Sequence, residues 1–296
     1  MKTMEINKIL VPVDFSELST KALEVAGKIA AIFEAQVTPV HIHIPITELD
    51  EPYALGMSSS VYQDYDRVEA NLAERLSEIA GDFISGDRLD EPVILFGNPA
   101  QSIVELSESY DFIVMSTHGR TGFSRLLLGS VAEKVLRLAH VPVMVVENES
   151  RVERFENILV TTDFSENAST AYPIAIEFAK KAGSRLHLLH ILSFDQFEDD
   201  EKVPSVQNLR KERLKVTAME AFHDIREKVT FEVIPSADSP HETILQHVKE
   251  NDYNLIIMAT VGRTGIKYLM MGSTTANVVR HVETAVLSIN PRKADR

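Results

Sequence analysis

The chain is built from two tandem copies of one sequence pattern. The eight residues Ile9–Ser16 recur as Ile158–Ser165 with six identical positions, and the twelve residues Gly119–Ser130 recur as Gly262–Ser273 with seven. Two matches in the same order along the chain predict a duplicated structural unit. At 296 residues, the chain has the length of two ordinary domains.

The duplication sets the predicted domain boundaries. We place the first domain at residues 1–149 and the second at residues 150–296, joined by the charged run Glu147–Glu156. The two motifs lie about six residues further apart in the first copy than in the second. We assign these extra residues to a loop over Pro45–Tyr65.

Each copy alternates short apolar runs with segments of helical periodicity. Ile9–Val13 is typical of a strand buried on both faces, and Ser16 then stands where a helix N-cap belongs. The pattern predicts an α/β fold: two tandem doubly wound, Rossmann-like domains, each with a five-stranded parallel sheet. The predicted strands are Ile9–Val13, Val37–Ile44, Pro92–Phe96, Phe112–Met115 and Pro142–Val146, then Ile158–Val160, Arg185–Ile191, Phe231–Ile234, Leu255–Met258 and Ala285–Ile289.

Composition narrows the location and the partners. Acidic residues outnumber basic ones by 44 to 30, which argues against bare nucleic acid because phosphate binding needs Lys and Arg. The chain has no cysteine, which excludes disulfides and thiolate metal sites and suits the cytoplasm. Met1–Lys8 lacks the apolar core of a signal peptide, and no run approaches the ~18 apolar residues of a membrane span. We therefore expect a cytoplasmic protein without a membrane or nucleic-acid partner.

In open α/β sheets of this kind, ligands bind beyond the carboxyl ends of the strands. After Met115 the chain runs Ser116-Thr117-His118-Gly119 and, nine residues later, reaches Gly129-Ser130 and a helix. A phosphate is held by unpaired backbone N–H groups at the positive end of a helix dipole, and glycine allows close approach or positive φ. Ser130 is placed either to cap the helix or to donate its hydroxyl to a phosphate. The turn is neither a Walker A loop nor a Rossmann fingerprint.

These motifs resemble those of the tandem type of the universal stress protein family. Its nucleotide-binding members carry Gly-x2-Gly-x9-Gly-Ser/Thr after the fourth strand and an Asp after the first, and the resemblance covers nearly the whole chain twice. It implies an adenine-nucleotide site in each copy, with ATP or AMP as ligand, with or without Mg²⁺. The implied site residues are Pro12, Val13, Asp14, Ile42, Met115, Ser116, Gly119, Gly129, Ser130 and Val131, then Thr161, Thr162, Asp163, Ile191, Met258, Ala259, Gly262, Gly272, Ser273 and Thr274. Arg120, which follows the second glycine as Arg263 does in the other copy, is a further candidate that either contacts a phosphate or only solvates the loop.

Departures from the family pattern distinguish the copies. The first glycine is replaced by Ser116 in one copy and by Ala259 in the other. Asp238 stands where the first copy has Gly97, and a carboxylate that faced the pocket would repel phosphates. Against this, the second copy has hydroxyls at Thr274 and Thr275. We predict that the first copy is the better site.

Four histidines raise the possibility of a metal site. His41 and His43 lie two residues apart on one predicted strand, and His187 and His190 lie in the corresponding stretch. Zinc is conceivable there, but we expect no carboxylate of matching spacing beside them, and we favour structural histidines. We assign no metal ligand and no catalytic residue.

Three functions remain open. The resemblance favours a nucleotide-binding regulatory protein of the stress response. A slow ATPase or adenylyl-transfer enzyme would need a metal at Asp14, and at most weak ATPase activity is expected. A nucleotide-free interaction module is the third. We also expect a homodimer and, because the fifth strands are apolar edge strands, pairing of the two copies within one chain.

Overall fold

The computed structural model describes residues 4–44, 59–118, 128–147, 150, 152, 154–193, 203–261 and 271–291. Ten strands form one continuous sheet. They are β1 (Lys8–Pro12), β2 (Gln36–His43), β3 (Val93–Phe96), β4 (Phe112–Ser116) and β5 (Val143–Val146), then β6 (Asn157–Thr161), β7 (Arg185–Ser193), β8 (Val229–Ser236), β9 (Leu255–Ala259) and β10 (Ala285–Ile289). The α-helices are α1 (Glu17–Phe33), α2 (Ser59–Gly81), α3 (Pro99–Leu106), α4 (Ser130–Leu138), α5 (Glu166–Ser169), α6 (Tyr172–Lys181), α7 (Val203–Ala221), α8 (Pro240–Glu250) and α9 (Ser273–His281).

The strand order is β3-β2-β1-β4-β5-β10-β9-β6-β7-β8. Within each copy every pairing is parallel. The direction of winding reverses between β1 and β4, and again between β6 and β9. The predicted fold, two tandem doubly wound domains with five parallel strands each, is confirmed. The reversal opens a crevice at the carboxyl ends of these strands.

The central strands are buried on both faces, as their unbroken apolar runs predict. Ile9 and Val11 belong to one apolar layer and Leu10 to the opposite one, and all three are fully buried. Each layer contains residues of both copies. The two domains therefore share their core across one sheet.

The two copies meet through their fifth strands. β5 and β10 pair antiparallel, with Val145 opposite Val286 and Met144 opposite Leu287. The predicted pairing of the copies within one chain is confirmed. Because this pairing places β5 and β10 inside the sheet, β3 and β8 form its two outer edges.

An aromatic cluster joins the copies on one side of the sheet. Phe178 of α6 lies edge-on to Phe33 of α1 and to Phe155, with ring centroids 5.0 Å apart in each pair. Nearby, Lys28 Nζ donates to the Val152 carbonyl at 2.8 Å and to Glu24 at 2.7 Å. These contacts tie α1 to the interdomain segment.

The Glu24 carboxyl is held in its charged form. Burial raises its pKa, but hydrogen bonds and charges from Lys21 and Lys28 outweigh that effect and bring the pKa below its ordinary value. The contribution of this carboxylate to stability is therefore present above its unfolded-state pKa and is lost as the pH falls through the lower folded-state pKa.

Two helical segments differ from the sequence-based prediction. The Pro45–Tyr65 segment is not all loop, because α2 begins at Ser59; residues 45–58 lie outside the described part of the chain. α2 has 23 residues and its counterpart α7 has 19, so part of the extra length of the first copy is helix. In the second copy the first helix is divided into α5 and α6, since Pro173 cannot donate a helical hydrogen bond.

No helix in the described ranges is long and apolar enough to cross a bilayer.

Candidate functional site

A cavity of about 250 Å³ opens at the carboxyl ends of β6, β7 and β9 in the second copy. Every predicted site residue of this copy that the structure describes lines it. These residues are Thr161, Thr162, Asp163, Ile191, Met258, Ala259, Gly272, Ser273 and Thr274. Gly262, the remaining one, lies outside the described residues.

The corner that follows β6 is fixed by its own hydrogen bonds. The Thr162 N–H donates to the Leu189 carbonyl at 2.9 Å, and His190 Nδ1 lies 2.9 Å from the Thr162 carbonyl. Asp163 Oδ1 accepts from both the N–H and the hydroxyl of Ser165. Between them Phe164 has φ of 63°, a left-handed conformation that non-glycine residues adopt rarely. The corner is a rigid wall of the cavity.

The helix that faces this corner begins without a side-chain cap. Gly272 is the N-cap of α9, and its N–H donates to the Thr260 carbonyl at 2.7 Å. The N–H groups of the first turn, from Ser273 to Thr275, have no partner within the helix because of their position in it. The Thr275 hydroxyl donates to the Ala259 carbonyl at 2.8 Å, and Ser273 and Thr274 also line the cavity in this turn.

The geometry of the turn, which both copies share, corrects two details of the sequence interpretation. Ser130 and Ser273 do not cap their helices, because each is the first helical residue and the preceding glycine is the N-cap. That glycine is not required for positive φ, since Gly129 has φ of −59°. It is required by close approach: a Cβ at Gly129 would lie 2.6 Å from the Thr117 carbonyl oxygen.

The first copy repeats this frame. The Val13 N–H donates to the Val40 carbonyl at 2.8 Å, Asp14 Oδ1 accepts from the N–H and hydroxyl of Ser16, and Phe15 has φ of 64°. The structure places Pro12 at the end of β1, with Val13 and Asp14 directly after it. Ile42 lies on β2, Met115 and Ser116 lie at the end of β4, and Gly129, Ser130 and Val131 lie at the start of α4. Gly119 and Arg120 lie outside the described residues. The preference for the first copy stays a prediction.

Ser116 and Asp238, the two departures of concern, are accounted for locally. The Ser116 hydroxyl donates to the His118 carbonyl at 2.9 Å, which closes the end of β4. Asp238 is exposed, and among the described residues it is not part of the cavity lining. Its N–H donates to Ser236 Oγ. The expected repulsion of phosphates from within the pocket is therefore not supported.

A cation that the sequence interpretation missed lines the second cavity. Arg210 of α7 lies at the cavity wall, with its guanidinium 5.8 Å from the centre of the Phe164 ring. Arg213, one turn further on, lies 4.5 Å from the same ring, as Arg75 does from Phe15 in the first copy. By this correspondence the first-copy counterpart of Arg210 is Leu72. The two copies therefore differ by one positive charge at the cavity.

The histidines divide into two groups. His41 and His190 are buried and bond the backbone carbonyls of Val13 and Thr162, so they are structural, as favoured. His187 is different, because its Nε2 faces the Glu232 carboxylate at 3.6 Å. The expectation that no carboxylate lies beside these histidines is wrong at this position.

The comparisons with known proteins agree with the architecture. The model of the universal stress protein family matches residues 5–147 and again residues 154–290. Universal stress protein MJ0531 of Methanocaldococcus jannaschii is 34% identical over 148 residues, which cover 49% of this chain and 84% of that protein. A universal stress protein of Mycolicibacterium smegmatis is 24% identical over 298 residues, covering 96% and 97%. The crystal structure of a universal stress protein from Archaeoglobus fulgidus covers 97% of each chain with a TM-score of 0.67 and 26% identity. The chain belongs to the universal stress protein family, with two family domains in tandem.

Proposed function

We propose that this protein binds an adenine nucleotide, ATP or AMP, and acts as a regulatory protein of the stress response in the cytoplasm. The observation that carries the proposal is the second-copy cavity, in which Asp163, the end of β7 and the uncapped start of α9 come together. The absence of cysteine suits a reducing compartment.

The end of β7 offers a backbone edge for the adenine base. Leu189 directs its carbonyl toward the end of β6, where it accepts from Thr162. Residues two apart on a strand direct their backbone groups to the same side, so Ile191 faces the same way. The pairing of β6 with β7 ends at Thr161 and Leu189. The N–H and C=O of Ile191 therefore extend past β6, where a base can pair with them.

The start of α9 offers the phosphate site. Its first N–H groups and the positive end of its dipole favour an anion. Thr274 adds a hydroxyl, and Arg210 adds a positive charge to the cavity lining. Asp163 also lines the cavity, and its carboxylate can accept hydrogen bonds from ribose hydroxyls.

Isothermal titration calorimetry with ATP and with AMP tests the proposal. We expect heat of binding at one or both copies, and the same titrations with and without Mg²⁺ show whether the ion accompanies the nucleotide. No heat at millimolar ATP or AMP would refute it.

Homodimer formation stays a prediction. Since β5 and β10 pair within the chain, two chains would associate through another surface. Light scattering that gives twice the chain mass of 33.1 kDa would support a dimer, and a strict monomer would contradict it.

A further inference from the structure

A second cluster of chemically active side chains lies at the other end of the second-copy sheet. His187 stands near the start of β7, Glu232 is on β8, and His247 is on α8, which covers this face. One ligand atom from each of the three lies within 4.8 Å of the other two. We propose that His187, Glu232 and His247 form a binding site for a divalent transition-metal ion of the Zn²⁺ type, present in the second copy alone.

The site is separate from the proposed nucleotide cavity. His187 precedes Ile191 by four residues along β7, which corresponds to about 13 Å of extended strand. His187, Glu232 and His247 are also absent from the described lining of that cavity. The metal proposal therefore does not depend on the nucleotide proposal.

The environment of His187 sets the tautomer that a metal needs. His187 Nδ1 lies 2.8 Å from the Thr230 hydroxyl oxygen. We assign His187 Nδ1–H as the donor of this bond, because the Thr230 hydroxyl can then donate to the Leu186 carbonyl at 3.3 Å. The lone pair is then on Nε2, which is buried and has no hydrogen-bond partner within the described chain. Fixing one ring nitrogen in this way is how proteins orient metal-binding histidines.

The spacing of the His187 and Glu232 ligand atoms is close to that around a tetrahedral ion. His187 Nε2 lies 3.6 Å from Glu232 Oε2. Zinc bonds of about 2.0–2.1 Å in tetrahedral geometry place ligand atoms about 3.4 Å apart. A zinc ion between them requires only a small movement, which the half-exposed Glu232 side chain can make.

His247 completes the set. It is 9% exposed, and its ring stacks on that of His187 with centroids 5.4 Å apart. The Tyr253 hydroxyl lies 3.0 Å from His247 Nε2. It holds the His247 ring in place.

The first copy shows that the fold does not need these groups. The corresponding positions follow from two alignments of the copies. The register of β2 with β3 matches that of β7 with β8, and α3 and α8 each begin with a proline. Thr38 corresponds to His187, Val93 to Glu232, Leu106 to His247 and Tyr110 to Tyr253. Val93, Leu106 and Tyr110 pack on an apolar cluster of the core. Glu232 and His247 thus replace Val93 and Leu106, two apolar side chains that pack on the core, which favours a ligand as the reason for the change.

An ion can reach the site from solvent. A surface cavity of about 360 Å³ is lined by His187, Thr230 and Tyr253. Three protein ligands and an open side are typical of zinc sites that keep water or an exogenous ligand in the fourth position. The expected ion is therefore exchangeable.

The test is a titration of chelator-treated protein with ZnCl₂. Calorimetry should give one Zn²⁺ per chain, with a rise in the melting temperature on binding. His247→Leu and Glu232→Val introduce the first-copy residues and should weaken binding at least 100-fold. His223→Ala, which removes an exposed histidine on another segment, should leave it unchanged.

Folding of the variants is checked by their metal-free melting curves, and Glu232→Gln provides a variant of unchanged shape. Loss of zinc affinity in Glu232→Gln with an unchanged metal-free melting curve supports the proposal. Absence of stoichiometric binding by the wild-type protein, or wild-type affinity in both His247→Leu and Glu232→Gln, would overturn it.

Discussion

A carboxylate introduced at the start of α9 should weaken nucleotide binding without lowering the stability of the protein. Thr274 is the second residue of this helix and lines the cavity. In Thr274→Asp the new charge lies at the positive end of the helix dipole, which should stabilise the ligand-free protein by about 0.3–1 kcal/mol. The same charge would lie about 6 Å from a phosphate bound at the helix start, where an effective dielectric constant of about 20 gives a repulsion near 3 kcal/mol.

The expected result is a loss of roughly 100-fold in ATP affinity, measured by calorimetry, with an unchanged or raised melting temperature. Thr274→Asn has the same shape without the charge and should bind within a few-fold of the wild type. Val131→Asp makes the matching change in the first copy and tests that site separately. If Thr274→Asp binds ATP with wild-type stoichiometry and affinity, the phosphates do not lie at the start of α9.

Three further changes test the site and its scaffold. Arg210→Leu should weaken ATP binding about 5- to 10-fold because a charge-assisted contact of about 1–1.5 kcal/mol is removed, and unchanged calorimetric affinity would show that this guanidinium does not reach the nucleotide. Gly129→Ala should lower the free energy of unfolding, measured by denaturant titration, by about 1–3 kcal/mol, because the new Cβ would lie 2.6 Å from the Thr117 carbonyl oxygen. The control is Gly81→Ala, whose Cβ meets nothing within 4 Å and should leave the free energy of unfolding unchanged. In Glu24→Gln the unfolding free energy should be about 0.5 kcal/mol below wild type near pH 7, and the difference should vanish as the pH falls through the lowered folded-state pKa of Glu24. A pH-independent difference would contradict the lowered pKa.

The sheet was predictable because its signals are local. Strands buried on both faces appear as unbroken apolar runs, and the duplication repeats each run at a fixed place. Predicted strand limits differ from the structure mainly at β8, which extends from Val229 to Ser236. This edge strand pairs only with β7 and is partly exposed, so its outer residues lack the apolar signature.

The site was predictable where it depends on strand ends. Asp163, Ile191 and Gly272 converge because the carboxyl ends of parallel strands share one edge. Arg210 was not predictable in the same way, since the side of α7 that faces the cavity is set by helix packing. The sequence shows Arg210 three residues before Arg213, and it predicts a helix that packs on the sheet. It does not predict which side of that helix faces the cavity.

The metal-ligand cluster depends on contacts that no local pattern shows. His187 and Glu232 are brought together by the register of β7 and β8, in which Leu189 lies opposite Glu232. His247 reaches them only because α8 covers that face. Sequence spacing alone suggested His187 with His190, yet these two side chains have different partners: Thr230 and the Thr162 carbonyl.

A crystal structure of the protein grown with excess ATP tests the central claim most directly. We expect adenine beside the backbone of Ile191, and phosphate oxygens within hydrogen-bond distance of the N–H groups of Ser273, Thr274 and Thr275. A cavity without nucleotide at a saturating ATP concentration, or nucleotide bound away from both helix starts, would contradict it.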